Sequence, residues 1–215
     1  DSNSDGFLDE KEINAVTDMR YHYAGISDFT GLEYFTELTY LELVGNNASK
    51  IPFENLTKLE LLNLGYTNIT SADVTKHTNL ESLQLYGTDI SSIDLSNNTK
   101  LIFLSLADCS NLENLDLSSF DTSQVISMGR MFEGCSGLTS LDLGNFDTSQ
   151  VTNMGSMFRS CSSLKNVNLS SFDTSQVKYM EAMFEDCSSL ASLDISNLDT
   201  SKVEQMGGPD GGMFE

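Results

Sequence analysis

Four cysteines, Cys109, Cys135, Cys161 and Cys187, stand 26 residues apart. Equal spacing marks a repeat before it marks a disulfide framework. The same period carries Leu112, Leu138, Leu164 and Leu190, then Phe120, Phe146, Phe172 and Leu198, then Val125, Val151, Val177 and Val203. Each repeat therefore supplies the same inward side chains. A unit this short cannot bury an apolar face alone, so it has to stack on its neighbours.

A shorter period precedes it. LxxLxL begins at Leu38, Leu59, Leu80 and Leu101, in steps of 21 residues. Asn46, Thr67, Thr88 and Cys109 then occupy the Asn/Cys place of LxxLxLxx(N/C)xL, which is the leucine-rich-repeat pattern. The ladder Asn46, Thr67, Thr88, Cys109, Cys135, Cys161, Cys187 joins both periods into one array. The expected fold is a leucine-rich-repeat solenoid: a right-handed coil of short parallel β-strands with turns and short 3-10 or helical segments, behind a small N-terminal helical cap. The expected organisation is a loop and cap helix over residues 1–15, repeats of about 21 residues over 16–106, and 26-residue repeats over 107–215. The last coil reads as incomplete, because Met213 and Phe214 arrive four residues late and no Cys follows. Val16, Met19 and Tyr21 read as a degenerate first strand, and Glu10 to Ala15 as the cap helix.

At the ladder, a small polar side chain pointing into the coil can bond backbone groups of its own tight turn. A thiol does this weakly and packs as a small hydrophobe, so the cysteines read as reduced and buried. Stacking at about 4.8 Å leaves a disulfide open, and a metal or redox site is the competing reading, although no CxxC spacing exists. Asp121, Asp147, Asp173 and Asp199 of FDTSQV read as Asx or cap residues, with an ion-holding row as the alternative. Met128, Met131 and Phe132, with their 26-residue partners, read as core. The longer unit has two extra residues between Met and Cys, so the spacing leaves open whether VxxMxx or LxxLDL continues the first strand series.

Strand alternation turns Tyr40, Glu42, Leu61, Asn63, Ser82, Gln84, Tyr86, Phe103 and Ser105 outward. Tyr40, Leu61, Tyr86 and Phe103 are the candidate binding residues, an apolar patch rimmed by acids. The 11 Lys and Arg against 32 Asp and Glu give a net charge of −21. Phosphate-rich partners would be repelled, which argues against nucleic acid or an anionic membrane surface. No apolar run approaches the roughly 20 residues of a membrane span. His22 and His77 have no evident nucleophile partner, so the chain does not read as an enzyme. Two readings remain: a binding module displaying an elongated face, or a structural spacer. A monomer is expected, with end-to-end association at the C-terminal end.

The first twelve residues, DSNSDGFLDEKE, fit D-x-[DN]-x-[DN]-G-x5-E. Calcium takes six to eight oxygens from such a loop. Asp1, Asn3 and Asp5 would give side-chain oxygens, Phe7 its carbonyl, Asp9 a water-bridged contact and Glu12 both carboxylate oxygens. Gly6 permits the turn and Leu8 points to the core. The alternative is a solvated acidic helix start. The helix entering this motif would precede Asp1.

The stretch LDLSSFDTSQVxxMxxMFxxC from Leu115, repeated twice more almost unchanged, resembles the repeats of BspA-like leucine-rich-repeat surface proteins of bacteria. DSNSDGFLDEKEINAVTDM followed by GLEYFTELTYLEL is similar to members in which an EF-hand or dockerin-like loop precedes the repeats. The resemblance implies a secreted or cell-surface protein of a host-associated bacterium. It further implies adhesion to host matrix proteins or other cells and supplies no catalytic residues; the expected partner is a host extracellular matrix or cell-surface protein or a glycan, and calcium is the cofactor expected from the loop.

Overall fold

The structure is a computed structural model that describes residues 6–207 and 212–213. It is a leucine-rich-repeat solenoid. A one-turn helix, α1 (Glu10–Ile13), is followed by β1 (Asp18–Arg20), a 3-10 turn at Leu32–Tyr34, and strands β2 (Tyr40–Glu42), β3 (Leu61–Asn63), β4 (Ser82–Gln84), β5 (Phe103–Ser105), β6 (Ser140–Asp142) and β7 (Asn166–Asn168). α1 stops two residues short of the expected Ala15. It is held by a capping box in which Asp9 Oδ1 accepts from Glu12 N at 2.8 Å and Glu12 Oε2 accepts from Asp9 N at 3.1 Å. Leu8, expected to point to the core, is 49% exposed.

β1 to β5 form one parallel sheet in sequence order. Leu41, Leu62, Leu83 and Leu104 lie at the strand centres and are buried, because a strand sends alternate side chains to opposite faces. β6 and β7 pair in a second sheet on the LxxLDL series. Ser127, Asn153, Tyr179 and Gln205 form parallel bridges on the VxxMxx series.

Backbone bonds decide which series continues the first sheet. Leu43 N donates to Asn63 O, Leu64 N to Gln84 O, Leu85 N to Ser105 O, Leu106 N to Met131 O, Phe132 N to Met157 O and Phe158 N to Met183 O, at 2.8–3.0 Å. Phe132 and Phe158 therefore take the place of Leu106, and VxxMxxMF is the continuation. The two extra residues form a turn: Met131 N donates to Met128 O at 3.2 Å and Arg130 is left-handed at φ +61°. At the far end Phe184 N donates to Met213 O at 2.9 Å, so Met213 fills the strand place although it arrives late in sequence.

Inside, Phe132, Phe158 and Phe184 stack at 5.9 and 5.2 Å; Phe120 meets Phe146 edge-on at 5.8 Å, and Phe146 stacks on Phe172 at 6.4 Å. One inward column, Leu56, His77, Asn98, Phe120, is interrupted by two polar residues. His77 is fully buried and Nε2 lies 3.1 Å from Phe53 O. Asn98 Nδ2 donates to Val74 O and His77 O at 3.0 and 2.9 Å.

The FDTSQV aspartates cap their own corners. Asp121, Asp147, Asp173 and Asp199 accept from the backbone N of Ser123, Ser149, Ser175 and Ser201 at 2.8–3.0 Å. These bonds to the charged form hold all four carboxyls below their ordinary range. Burial likewise lowers His77, against its hydrogen bond to Phe53. Folding therefore favours the deprotonated form of every one of these groups. Their stabilisation is complete at neutral pH, starts to fall for His77 below its ordinary 6.5, and for the aspartates below about 3.8. Changing Asp121, Asp147, Asp173 and Asp199 to Asn keeps the turn acceptors and is expected to flatten the acid limb in urea unfolding below pH 4. An unchanged limb would assign acid sensitivity to other groups.

Candidate functional site

The ladder fixes the face beside it. Asn46 is buried and completes three bonds: Oδ1 accepts from Ile26 N at 3.0 Å, and Nδ2 donates to Tyr21 O and Leu43 O at 2.6 and 2.8 Å. Thr67 and Thr88 donate to Leu64 O and Leu85 O in their own turns. The thiols differ from the expectation. Cys109, Cys135, Cys161 and Cys187 donate to Leu85 O, Leu106 O, Phe132 O and Phe158 O of the preceding coil at 3.0–3.1 Å. A larger sulfur on a longer bond reaches across the stack where a hydroxyl reaches back within its turn.

All four are free thiols. Burial raises each, Cys161 to about 12 and Cys187 to about 11. Cys187 is the least buried. Under native conditions it is expected to alkylate first, with Cys135 and Cys161 reacting only on unfolding, as a mass-resolved iodoacetamide time course would show. Equal rates at all four would contradict the buried ladder.

Directly before each ladder residue the chain turns left-handed: Gly45, Tyr66, Gly87, Asp108, Gly134, Ser160 and Asp186 all have φ between +53° and +69°. This conformation favours glycine, and three of the seven are glycine. Where a tyrosine stands instead, its ring lies over the glycine of the next coil, Tyr66 over Gly87. Tyr23, at φ +51°, lies over Gly45 in the same way.

The strand face carries the candidate binding residues. Tyr40, Leu61, Ser82 and Phe103 are in register along one row. Tyr40 and Phe103 are exposed and Leu61 is half-buried. The Arg20 guanidinium sits 6.0 Å from the Tyr40 ring centroid. Tyr86 does not join this row. It lies across Gly65, makes an edge-to-face contact with Tyr66 at 5.1 Å, and belongs to a tyrosine strip with Tyr23 and Tyr66, which are 71% and 50% exposed. Sequence reasoning missed Tyr23 and Tyr66, although the glycines at 45, 87 and 134 marked their positions. Asn63, expected outward, is buried: its Oδ1 accepts from Gly65 N and its Nδ2 donates to Gln84 Oε1.

Further along the same face the surface closes on itself. Glu133 pairs with Arg130 at 3.5 Å and Arg159 at 3.8 Å, and Arg159 with Glu185 at 3.1 Å. Of the calcium-loop residues, Asp1, Asn3 and Asp5 lie outside the described residues. Gly6 has the φ of +88° that a sharp loop turn needs. Asp9 and Glu12 are engaged with each other's backbone in the capping box, and the Phe7 side chain is 79% exposed. Among the described residues, no group of three or more His, Cys, Asp or Glu is placed to hold a metal ion, and no helix is long and apolar enough to cross a membrane.

Among solved structures, the functional domain of InlJ from Listeria monocytogenes, which includes a cysteine ladder, is similar at 21% identity and a TM-score of 0.56; the match covers 92% of this chain and 35% of that one. Internalin C2 from Listeria monocytogenes is similar at 16% identity and a TM-score of 0.51, over 94% of this chain and 84% of that one. This chain thus spans about a third of the InlJ domain. These likenesses show the leucine-rich-repeat fold. No curated protein matches the sequence. A family model described as "Mycoplasma protein of unknown function, DUF285" matches residues 53–141 and again 99–209, more than half of the chain. With its 26-residue repeats inside that match, the chain belongs to the DUF285 family.

Proposed function

We propose that this chain is the binding module of a BspA-like bacterial surface protein, secreted or attached at the cell surface, and that it is not an enzyme. Its partner is a host matrix or cell-surface protein, or a glycan on one. The observation that carries the reading is the row Tyr40, Leu61, Ser82, Phe103, held in register on a rigid parallel sheet with two aromatic rings exposed. These side chains contribute nothing to the buried core, and aromatic anchors on a preformed surface are what a protein contact uses. The net charge of −21 directs the choice toward partners with basic surfaces. The amino-terminal loop would bind calcium through Asp1, Asn3, Asp5, the Phe7 carbonyl, Asp9 and Glu12. Gly6 supports this, whereas Glu12 would have to release the Asp9 amide to offer both oxygens.

A spacer role has one observation in its favour, confined to the 26-residue coils. Their face is zipped by its own ion pairs, Arg130–Glu133–Arg159–Glu185, and offers little to a partner.

The test is binding of the immobilised chain to a panel of host matrix glycoproteins and mucins, with and without calcium, beside the Tyr40→Ser, Leu61→Ser, Phe103→Ser variant. Saturable binding lost in the folded variant supports the module. Absence of binding by both proteins contradicts it and leaves the spacer.

A further inference from the structure

Sheet pairing on the strand face breaks once among the described residues. Before the break, Glu60 and Leu61 donate to Thr39 O, Glu81 and Ser82 to Glu60 O, and Ile102 and Phe103 to Glu81 O. After it, Thr152 donates to Ile126 O, Lys178 to Thr152 O, and Glu204 to Lys178 O. Between Ile102 and Ile126 there is no such bond; the five-stranded sheet ends at β5 and the bridges resume from Ser127. The two coils rejoin only further along, through Leu106 N to Met131 O at 2.9 Å and Asp108 N to Glu133 O at 2.6 Å. The cause is the change of repeat length. Leu104 and Met128 are equivalent core positions 24 residues apart, whereas Leu106 and Phe132 are 26 apart. The first coil with the Met128–Met131 turn cannot match both ends of the last strand without it.

The side chains at the break are unlike their counterparts. The row that starts each strand reads Thr39, Glu60, Glu81, Ile102, Ile126, Thr152, Lys178, Glu204. Its two isoleucines straddle the break, 46% and 64% exposed, with Phe103 beside them at 39%. Glu60 and Glu81 hold the same row on one side, and Lys178 on the other is paired with Glu204 at 3.1 Å. An exposed apolar cluster next to carboxylates that make no ion pair, on a chain of net charge −21, complements one kind of partner. We infer that this seam is the anchor site for a basic polypeptide segment, which seats an aliphatic or aromatic side chain between Ile102, Phe103 and Ile126 with its Lys or Arg residues toward Glu60 and Glu81. The inference rests on the binding-module reading and moves its centre from Tyr40 to the seam.

The probe is a random-peptide display library selected on the intact chain. Enriched peptides are then titrated by fluorescence anisotropy against the chain and its Ile126→Ser, Ile102→Ser and Tyr40→Ser variants. Both isoleucines are exposed, so the fold is expected to survive, which urea unfolding checks. The expected result is enrichment of basic peptides with an apolar residue, whose affinity falls about tenfold in Ile126→Ser and Ile102→Ser, stays within about twofold in Tyr40→Ser, and weakens with salt. Acidic or uncharged winners, or winners indifferent to both isoleucines, would overturn the seam. Winners lost only in Tyr40→Ser would overturn the seam and keep the module. No enrichment on any form would count against both.

Discussion

Replacing Phe158 by alanine is expected to cost about 3–5 kcal/mol of stability, the usual range for a buried phenylalanine. Phe158 is fully buried and stacks on Phe132 on one side and Phe184 on the other. Its backbone also links coils, since its N donates to Met183 O and its carbonyl accepts the Cys187 thiol. In a solenoid each coil touches only its neighbours, so a cavity at one coil weakens two interfaces at once. The residues beyond it should become the first to unfold. Chemical unfolding with a probe at each end would show the C-terminal part melting at lower denaturant than the N-terminal part. A loss under about 1 kcal/mol, or a single unchanged transition, would contradict a continuous packed column.

The second large effect belongs to Asn46. Asn46→Ala removes the partners of three backbone groups, Ile26 N, Tyr21 O and Leu43 O. Leaving buried backbone groups unpaired costs about 1–3 kcal/mol each, so a total of roughly 3 kcal/mol is expected after partial relaxation toward solvent at this end. Asn46→Thr should recover part of it, because Thr67 and Thr88 satisfy the equivalent Leu64 and Leu85 carbonyls with a hydroxyl. It cannot restore the bonds to the first coil, Ile26 N and Tyr21 O. Thermal unfolding of the two variants checks the order: wild type above Thr above Ala. Equal loss in both would mean that the amide is needed for its reach across coils and not for its own turn.

Much of this architecture was legible because repetition turns weak local signals into a strong periodic one. The ladder from Asn46 to Cys187, the inward leucines and phenylalanines, and the aspartate corners all lie where spacing placed them. The failures are informative. Spacing could not show that VxxMxxMF continues the first sheet, since two residues can be absorbed on either side of a strand; the turn at Met128–Met131 absorbs them. It predicts that a thiol bonds its own turn, whereas Cys135 reaches Leu106 one coil back, while the Thr67 and Thr88 hydroxyls at the same ladder position bond Leu64 and Leu85 in their own turns. Alternation turned Asn63 outward, yet its amide bonds Gly65 N and Gln84 and folds down onto the strand. It also grouped Tyr86 with Tyr40 in one patch, although Tyr40 opens β2 and Tyr86 lies two residues beyond the end of β4. The buried pair His77 and Asn98 sits in a column that is otherwise leucine and phenylalanine, and neither residue carries a local signal for that. In sequence, Thr122, Thr148 and Thr174 read only as part of a corner. They are buried, and each donates to the backbone of the next coil, at Asp147 O, Asp173 O and Asp199 O.

The central claim is that two repeat lengths form one solenoid across a single imperfect seam. Amide hydrogen exchange read residue by residue tests it most directly, at Leu106 and Asp108, whose N–H groups bond Met131 O and Glu133 O across that seam. The account predicts that both exchange as slowly as Leu85 and Phe132, which make the equivalent bonds within each repeat set, while Ile126, at the open end of the seam, exchanges fast. Fast exchange at Leu106 and Asp108, with protection on either side, would mean two separate stacks joined by a loop and would contradict it.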